Sequence, residues 1–472
     1  MNRPATIDLP AANCALASLS LCALLAALGV SCANVALPTL AQAFDASFQQ
    51  VQWVVIAYLL AMTTLIVSVA RLGDVAGRRR LLLAGIALFA AASLVGGVAP
   101  TLWVLIAARA GQGLGAAIMM ALTMALVGAT VPQTRTGSAM GLLGAMSAAG
   151  TALGPSLGGV LIGTLGWRAI FLVNLALALL TLALAGRYLP PDRPDPAGVK
   201  LPIDVAGTLL LVLALGAYAL GMTLGRGTFG PLNAALLLAA ACTLVLFVLA
   251  EGRAASPMIA LSMLRDRALS ASLAGGALVS TVMMATLVVG PFYLSRALAL
   301  DAAAVGLVMA VGPVAAALAG VPAGRLADRF GAARIAVAGL AGLAAGSVAL
   351  SLMPAKFGVP GYLGASASMT VSYALFQTAN NTAVMASASP QQRGVLSGLL
   401  NLSRNLGLVT GASAMGAVFA LGAQATDVMT ARPEAIAAGM RATFAAATVL
   451  IAVALAIAIA GGRGAAGYGR LV

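Results

Sequence analysis

One arginine lies in the middle of a long apolar run, and its position gives it a clear capacity for chemistry. Arg109 is found in Leu105-Ile-Ala-Ala-Arg-Ala-Gly-Gln-Gly113, with no other charge in that stretch. A guanidinium inside a lipid bilayer is costly unless it is paired or hydrated, so a charge kept there is expected to serve binding or gating. An arginine that snorkels to the membrane interface is the alternative.

Other residues that carry chemistry are scarce in the apolar stretches. The chain has no histidine, and its twelve acidic residues fall in predicted tails, loops or ends of apolar runs. Its four cysteines lie in apolar segments without CxxC spacing: Cys14, Cys22, Cys32 and Cys242. We therefore expect no metal site, cofactor, ATP-binding loop or nucleophile–base pair, and an enzyme is the disfavoured interpretation.

A short polar motif occurs twice between apolar runs. The first copy contains Asp74, Gly77 and Arg78, and the second contains Asp328 and Gly331. In each copy the glycine can form a tight turn, and we place the aspartate where the next helix begins. A repeat half a chain apart predicts two similar halves, and we interpret the two aspartates as structural latches of a gate.

The composition places the chain in a membrane. Of its 472 residues 61% are hydrophobic and 8% are charged, and the mean hydropathy is +1.04. A chain of this composition folds with an apolar surface, which is tolerated only in a lipid bilayer. The net charge of +14 comes from basic residues scattered singly between apolar runs, so no nucleic-acid partner is expected.

Apolar stretches of the length of a bilayer predict an all-α membrane protein with fourteen transmembrane helices, arranged as six, two and six. The predicted spans are 14–37, 51–70, 81–99, 102–130, 138–163, 168–188, 205–224, 232–250, 268–294, 303–322, 333–353, 360–388, 395–420 and 441–462.

This count predicts an N-terminal tail, two six-helix bundles, an extra helix pair, two linkers and a C-terminal tail. Placing both termini in the cytoplasm puts about three times as many basic residues inside as outside, which follows the positive-inside rule. The predicted parts are the tail 1–13, the bundle 14–188, the linker 189–204, the extra pair 205–250, the linker 251–267, the bundle 268–462 and the tail 463–472.

Three motifs resemble those of a known family. The repeated loop resembles G-x-L-a-D-r-x-G-r-k, the segment around Arg109 resembles l-x-x-R-x-x-q-G, and Gly150-Thr-Ala-Leu-Gly-Pro-Ser-Leu-Gly-Gly159 is similar to G-x-x-x-G-P-x-x-G-G. These motifs belong to the major facilitator superfamily, and the chain resembles its fourteen-span drug:proton antiporters over nearly its whole length.

The resemblance implies a major facilitator fold and secondary transport by alternating access. The expected function is efflux of small amphiphilic compounds, as in multidrug resistance, from the inner membrane of a bacterium. The glycine face beside the bend at Pro155 suits a moving seam between the halves. The residues with an implied coupling or gating role are Arg109, Asp74, Gly77, Arg78, Asp328, Gly331, Gly154, Pro155 and Gly158.

One departure from the family pattern changes the expected substrate. Asn34-Val-Ala-Leu-Pro38 aligns with a family motif in which a buried aspartate stands at the place of Gly29. Protons are the coupling ion that the resemblance implies, but the carboxylate that would carry them is missing. A cation would also lack a counter-charge, so neutral or anionic amphiphiles are expected.

Uncharged or basic polar residues remain to line a cleft. The cluster that stands out is Asn380-Asn381 with Gln377 one turn earlier; for any single asparagine, an interhelical hydrogen bond is the alternative. The candidate substrate-binding residues are Asn34, Tyr58, Gln112, Gln377, Asn380, Asn381 and Arg404. A membrane scaffold or assembly subunit that has kept a transporter fold without coupled transport is the alternative function.

Overall fold

The computed structural model describes residues 9–130, 136–192, 205–224, 230–253, 263, 265–386, 393–424, 428 and 430–468. These residues form fifteen α-helices and no strand. The helices are α1 (Leu9–Ala43), α2 (Phe48–Ala76), α3 (Arg78–Gly97), α4 (Leu102–Thr130), α5 (Thr136–Leu165), α6 (Arg168–Tyr188), α7 (Val205–Thr223), α8 (Pro231–Arg253), α9 (Arg267–Phe292), α10 (Ala302–Phe330), α11 (Ala332–Leu352), α12 (Gly358–Ala386), α13 (Arg393–Thr410), α14 (Gly416–Gly422) and α15 (Pro433–Tyr468).

The helices make fourteen membrane crossings, as predicted. In the described part of the chain, thirteen segments are long and apolar enough to cross a membrane. Helix α12 adds the fourteenth crossing; its polar residues, Gln377 and Asn380 among them, lower its hydropathy. Helices α13 and α14 form one crossing because the π-helical turn Gly411–Met415 joins them. The predicted all-α membrane fold is confirmed.

An even number of crossings puts both chain ends on one side. We call the side with Leu9 and Tyr468 the terminal end and the opposite side the far end. Pro38 and Pro155 lie inside helices α1 and α5. Prolines are tolerated in membrane helices because neighbouring groups satisfy the freed backbone carbonyl.

The helices run further than the predicted spans, and this moves the two motif aspartates. Asp74 lies in the last turn of α2 and Asp328 in the last turn of α10. The prediction that each stands at the start of the next helix is wrong. Gly77 and Gly331 have φ of +91° and +90°, so each glycine alone ends one helix and begins the next.

The helices form two groups with the same internal packing. In the first group α1 packs against α5, and α4 packs against α2 and α3. In the second α9 packs against α13, and α12 packs against α10 and α11. We call these groups, α1–α6 and α9–α15, the first and second bundles. Their matching order agrees with the repeated sequence motif.

The predicted domain boundaries stay a prediction, since much of the predicted tails and linkers is not described. Positions 1–8, 193–204, 254–262 and 469–472 lie outside the described residues. Helix α8 runs to Arg253, so the buried Glu251 lies within a helix rather than in the predicted linker 251–267.

Candidate functional site

Arg109 lies inside the first bundle and does not face open space. It begins the third turn of α4, about 10 Å along the helix axis from the far end, and only 1% of its surface is exposed. Its Nε donates to the carbonyl of Val54 at 2.8 Å, and its Cζ lies 4.3 Å from the ring centroid of Tyr58. The guanidinium is therefore held by helix α2, partly through a cation–π contact.

A chain of hydrogen bonds continues from Arg109 into the bundle. Its Nη1 donates to Gln112 Oε1 at 2.8 Å, and Gln112 Nε2 donates to Ser93 Oγ at 2.7 Å. Tyr58 donates its hydroxyl to the carbonyl of Ala26 at 2.9 Å. Arg109 Nη2 has no partner among the described residues, and none of their carboxylates pairs with Arg109. The charge is thus only partly compensated.

The buried position of this cluster corrects part of the expected binding site. Tyr58 and Gln112 are fully buried, as is Asn34, whose two amide atoms have no described partner. These three candidates therefore do not line an open cleft in this state. Since both faces of a membrane helix are apolar, the sequence could not show which polar residues point into the bundle interior.

The place of the missing carboxylate is occupied by neighbouring side chains. A Cβ at Gly29 would lie 3.3 Å from Tyr58 Oη and 3.4 Å from Phe89 Cζ. Tyr58 in turn contacts Arg109. The absent side chain would therefore have stood beside this arginine, inside the bundle.

The glycine motif of α5 packs on two different helices. Gly154 and Gly158 face α1, where a Cβ would meet Cys32 N at 3.0 Å and Cys32 O at 3.2 Å. Gly159 faces the second bundle, since a Cβ there would lie 2.7 Å from Gly306 Cα in α10. The expected seam is therefore formed by Gly159 and the carbonyl of Pro155, whereas Gly154 and Gly158 pack within the first bundle.

The two bundles meet closely at the far end. Gln52 Nε2 in α2 donates to the carbonyl of Ala412 at 2.9 Å. The ring of Phe48 lies 4.7 Å from that of Phe292 and 5.2 Å from that of Phe419, so aromatic packing also closes this side.

The contact between α5 and α10 loosens toward the terminal end. Gly144 lies 15 residues before Gly159, and Gly320 lies 14 residues after Gly306. At 100° per residue each stays within about 60° of the face of its partner glycine. Among the described residues, no atom lies within 4 Å of a Cβ built at either Gly144 or Gly320. These two glycines thus lack the close contact that Gly159 and Gly306 make at the far end.

The turn between α2 and α3 is held by a residue that the sequence did not single out. Asp192, just after α6, accepts hydrogen bonds from the backbone N–H groups of Arg79 at 2.8 Å and Arg80 at 3.1 Å. Its carboxylate also fills the space beside Gly77. A carboxylate at a helix N-terminus satisfies free N–H groups and the helix dipole.

The structure describes the side chains of the predicted latch residues more fully in the second motif than in the first. The side chain of Asp74 lies outside the described side chains, and Arg78 is exposed. In the second copy Asp328 is exposed, and no atom lies within 4 Å of a Cβ at Gly331. The second turn thus has the same φ at its glycine, and none of the described residues packs against that glycine as Asp192 does in the first turn.

Three helices of the second bundle converge around Gly276 of α9. Asn380 of α12 donates to the carbonyl of Ser272 at 3.3 Å, and Ser403 of α13 donates to that of Leu273 at 2.5 Å. A Cβ at Gly276 would lie 3.4 Å from Ser403 Oγ. Asn380 is therefore used for helix packing, the alternative weighed for a single asparagine.

Three polar side chains beside these contacts keep a hydrogen-bonding atom without a described partner. Gln377, Asn381 and Arg404 are half-buried, and Gln377 Oε1, Asn381 Oδ1 and Arg404 Nε, each a buried atom, have no partner among the described residues. Asn381 lies about 140° around α12 from Phe376, whose backbone packs on Gly339 of α11. Asn381 therefore faces away from α11.

Tryptophans illustrate the limits of sequence patterns. Trp167 is buried against Phe44 and Phe171. Trp53 is partly buried and donates a hydrogen bond to Thr223 of α7. Gln52, Ser93 and Asp192 also carry contacts that no motif signalled; only the proximity of Asp192 to a helix end offered a hint.

Two helical bundles that repeat one packing order and close against each other at one end have the architecture expected of a membrane transporter. The family model of the Major Facilitator Superfamily matches residues 19–412 and, in a second match, residues 272–463. The chain belongs to the major facilitator superfamily, as its motifs indicated.

Relatives and solved structures agree with this family. The chain is 32% identical to the multidrug resistance protein Stp of Mycobacterium tuberculosis over 83% of this chain and 73% of that protein. It is 27% identical to the riboflavin transporter RibZ of Clostridioides difficile over 82% of this chain and 84% of RibZ. A bacterial homologue of the human lysosomal transporter Spinster, solved in an inward-facing, unoccupied conformation, has the same fold, with a TM-score of 0.70 at 16% identity over 97% of this chain and 98% of that one.

Proposed function

We propose that this chain exports small amphiphilic compounds by alternating access of its two bundles. The observation that carries the proposal is the closed seam at the far end, formed by the Gln52–Ala412 bond and the Gly159–Gly306 contact, together with the loose α5–α10 packing at the terminal end. Similarity to a multidrug resistance protein supports efflux.

We place the terminal end in the cytoplasm of a bacterium, with the chain in its inner membrane. The excess of basic residues on that side supports this orientation. The closed far end then faces the periplasm, and the protein stands in an inward-open state. A single cysteine placed at Ala197 should be unreactive toward an impermeant thiol reagent added outside intact cells; labelling there would contradict the orientation.

The half-buried polar residues of the second bundle support the choice of substrate. Gln377, Asn381 and Arg404 offer uncharged and cationic groups. No acidic side chain joins them among the residues whose contacts are described. An amphiphile with a neutral or anionic polar group fits this set better than a cation, because an unpaired cation in a low-dielectric cleft costs several kcal/mol.

Export is tested as substrate uptake into inverted membrane vesicles across which a pH gradient is imposed. Uptake of neutral, anionic and cationic amphiphiles is followed with and without the gradient, against vesicles that lack the protein. We expect transport of neutral or anionic compounds. Robust transport of a permanent dication, and of no other class, would remove the proposed substrate class; transport of nothing would favour a scaffold.

Proton coupling is tested by restoring the carboxylate. Gly29→Asp combined with Tyr58→Phe supplies an acid beside Arg109 and removes the hydroxyl that its Cβ would meet. We expect transport to gain a dependence on the proton gradient or to extend to cations. Gly29→Asn with Tyr58→Phe is the matched neutral control. Equal transport by both variants would exclude this position as a coupling site.

Asp74 and Asp328 are proposed to latch the terminal side when it closes. Each lies in a last helical turn beside arginines that follow a single-glycine turn. Asp74→Asn should slow turnover more than it weakens substrate binding. Unchanged turnover with unchanged conformer populations would remove the latch role.

A further inference from the structure

Helix α7, the first of the two extra helices, contacts both bundles near the far end. Trp53 Nε1 of α2 donates to Thr223 Oγ1 at 3.1 Å, and Thr223 is buried. Helix α7 also packs against α2 of the first bundle, and against the π-helical turn Gly411–Met415 and α14 of the second.

These contacts border the bond that closes the seam. Gln52, the neighbour of Trp53, donates to the carbonyl of Ala412. Ala412 belongs to the π-helical turn. Such turns rearrange the backbone hydrogen bonds and are frequent at functional sites. The seam bond and both α7 contacts thus fall within a few residues of each other.

The end of α7 is also fixed to its own partner helix. The side chain of Asn233 in α8 is buried, and its Nδ2 donates to the carbonyls of Gly221 at 2.8 Å and Leu224 at 2.6 Å. The end of α7 is therefore tied to the start of α8, so α7 cannot shift at the seam without carrying that part of α8 with it.

We infer that α7 is a brace that holds the far side of the transporter shut by contacting both bundles: the Trp53–Thr223 hydrogen bond joins it to the first bundle, and its packing on the π-helical turn Gly411–Met415 joins it to the second. When the far side opens, α2 moves relative to α13, and α7 cannot keep both sets of contacts. The extra helix pair thereby sets the ratio of inward-open to outward-open molecules.

As a brace, the extra helix pair has a role that is separate from the internal packing of either bundle. Helices in a membrane are not driven together by the hydrophobic effect, so polar contacts and close packing set their association. Loss of one interhelical hydrogen bond is expected to change the ratio of the two states by about two- to tenfold.

The inference rests on the proposed alternating-access cycle, and the experiment separates the two. Spin labels are placed on exposed far-end residues of each bundle, through Leu165→Cys and Leu352→Cys, which are each 73% exposed. The native cysteines are replaced by serine. Distances in the full-length protein are measured by double electron–electron resonance in nanodiscs, without substrate, at several pH values.

Two variants test the hydrogen bond between Trp53 and Thr223, one at the donor and one at the acceptor. Trp53→Phe removes the donor and Thr223→Val removes the acceptor while keeping the side-chain volume. Trp103→Phe is the matched control for the first, since Trp103 is 65% exposed. Thr243→Val is the control for the second, because half-buried Thr243 makes the same i−4 bond, to Ala239, but lies ten residues further along α8 than Asn233.

We expect each brace variant to raise the long-distance population about two- to tenfold over its control, and the double variant to add little. If the wild type shows two distances and neither brace variant shifts them, the brace is excluded. A shift in Trp53→Phe alone also excludes it, because ring packing would then be responsible. A single distance in the wild type and every variant would instead overturn alternating access.

Discussion

The two bundles use their polar residues in opposite ways, although they share one packing order. In the first bundle Arg109, Gln112 and Tyr58 are sealed and bonded to one another or to backbone carbonyls. In the second, Gln377 and Asn381 keep a polar atom without a described partner at half-buried positions. The difference supports the proposal that the first bundle uses its polar interior for structure and gating, while the second offers polar groups to a ligand.

The largest effect is expected from Arg109→Ala. It leaves Gln112 Oε1 without its donor and removes the bond to the carbonyl of Val54, and a buried unsatisfied group costs about 1–3 kcal/mol. We expect a lower thermal midpoint in detergent and a transport rate that falls at least about tenfold. Arg334→Ala, at an exposed position in the first turn of α11, is the control. A stable and fully active Arg109→Ala protein would break the comparison.

A smaller and different effect is expected from Arg404→Ala in the second bundle. A hydrogen bond from a charged group contributes about 1.5–3 kcal/mol, so the affinity for an anionic amphiphile should fall about ten- to a hundredfold. Thermal stability should stay the same, because the side chain is half-buried and its Nε lacks a described partner. Binding is measured by titration of the purified protein, with Arg325→Ala as the control.

Equal binding by Arg404→Ala and the wild type would place the ligand elsewhere. A fall in stability with no change in binding would assign Arg404 to packing, and the contrast between the bundles would be lost.

Two neighbouring asparagines sharpen the comparison within one helix. Asn380→Ala removes a bond to the carbonyl of Ser272 and should lower stability by about 1 kcal/mol with little change in affinity. Asn381→Ala should lower affinity about two- to tenfold and leave stability unchanged, since Asn381 Oδ1 is unpartnered in the described structure. Thermal unfolding and ligand titration are measured on both; a reversed pattern would exchange their roles.

The smallest effect concerns the two glycine turns. Asp192→Ala removes the cap of α3 and should cost about 0.5–2 kcal/mol, because two backbone N–H groups lose their acceptor. Asp192→Asn, which keeps an acceptor, should retain part of this stability. Asp328→Ala is the comparison in the second turn, where no effect of that size is expected. Equal unfolding midpoints for Asp192→Ala and the wild type would show that the cap is dispensable.

The number of crossings followed from the sequence because bilayer thickness acts on long apolar stretches, and the fourteen crossings were predicted on this basis. The turns at Gly77 and Gly331 were predicted from the glycine of the repeated motif. The direction of individual side chains was not predictable. A membrane helix is apolar toward lipid and toward its neighbours, so the pattern did not show that Arg109 is sealed or that Asn380 and Asn381 differ.

The structure of the cluster around Gly29 constrains how this protein can change over evolutionary time. Tyr58 Oη stands 3.3 Å from where a side chain at position 29 would begin, and it is bonded to the carbonyl of Ala26. An aspartate gained at position 29 alone requires the Tyr58 hydroxyl to give way by a few tenths of an ångström while it is bonded to Ala26. Substitution at position 58 removes this constraint, so we expect descendants that regain a buried acid at position 29 to carry a changed residue at position 58 as well.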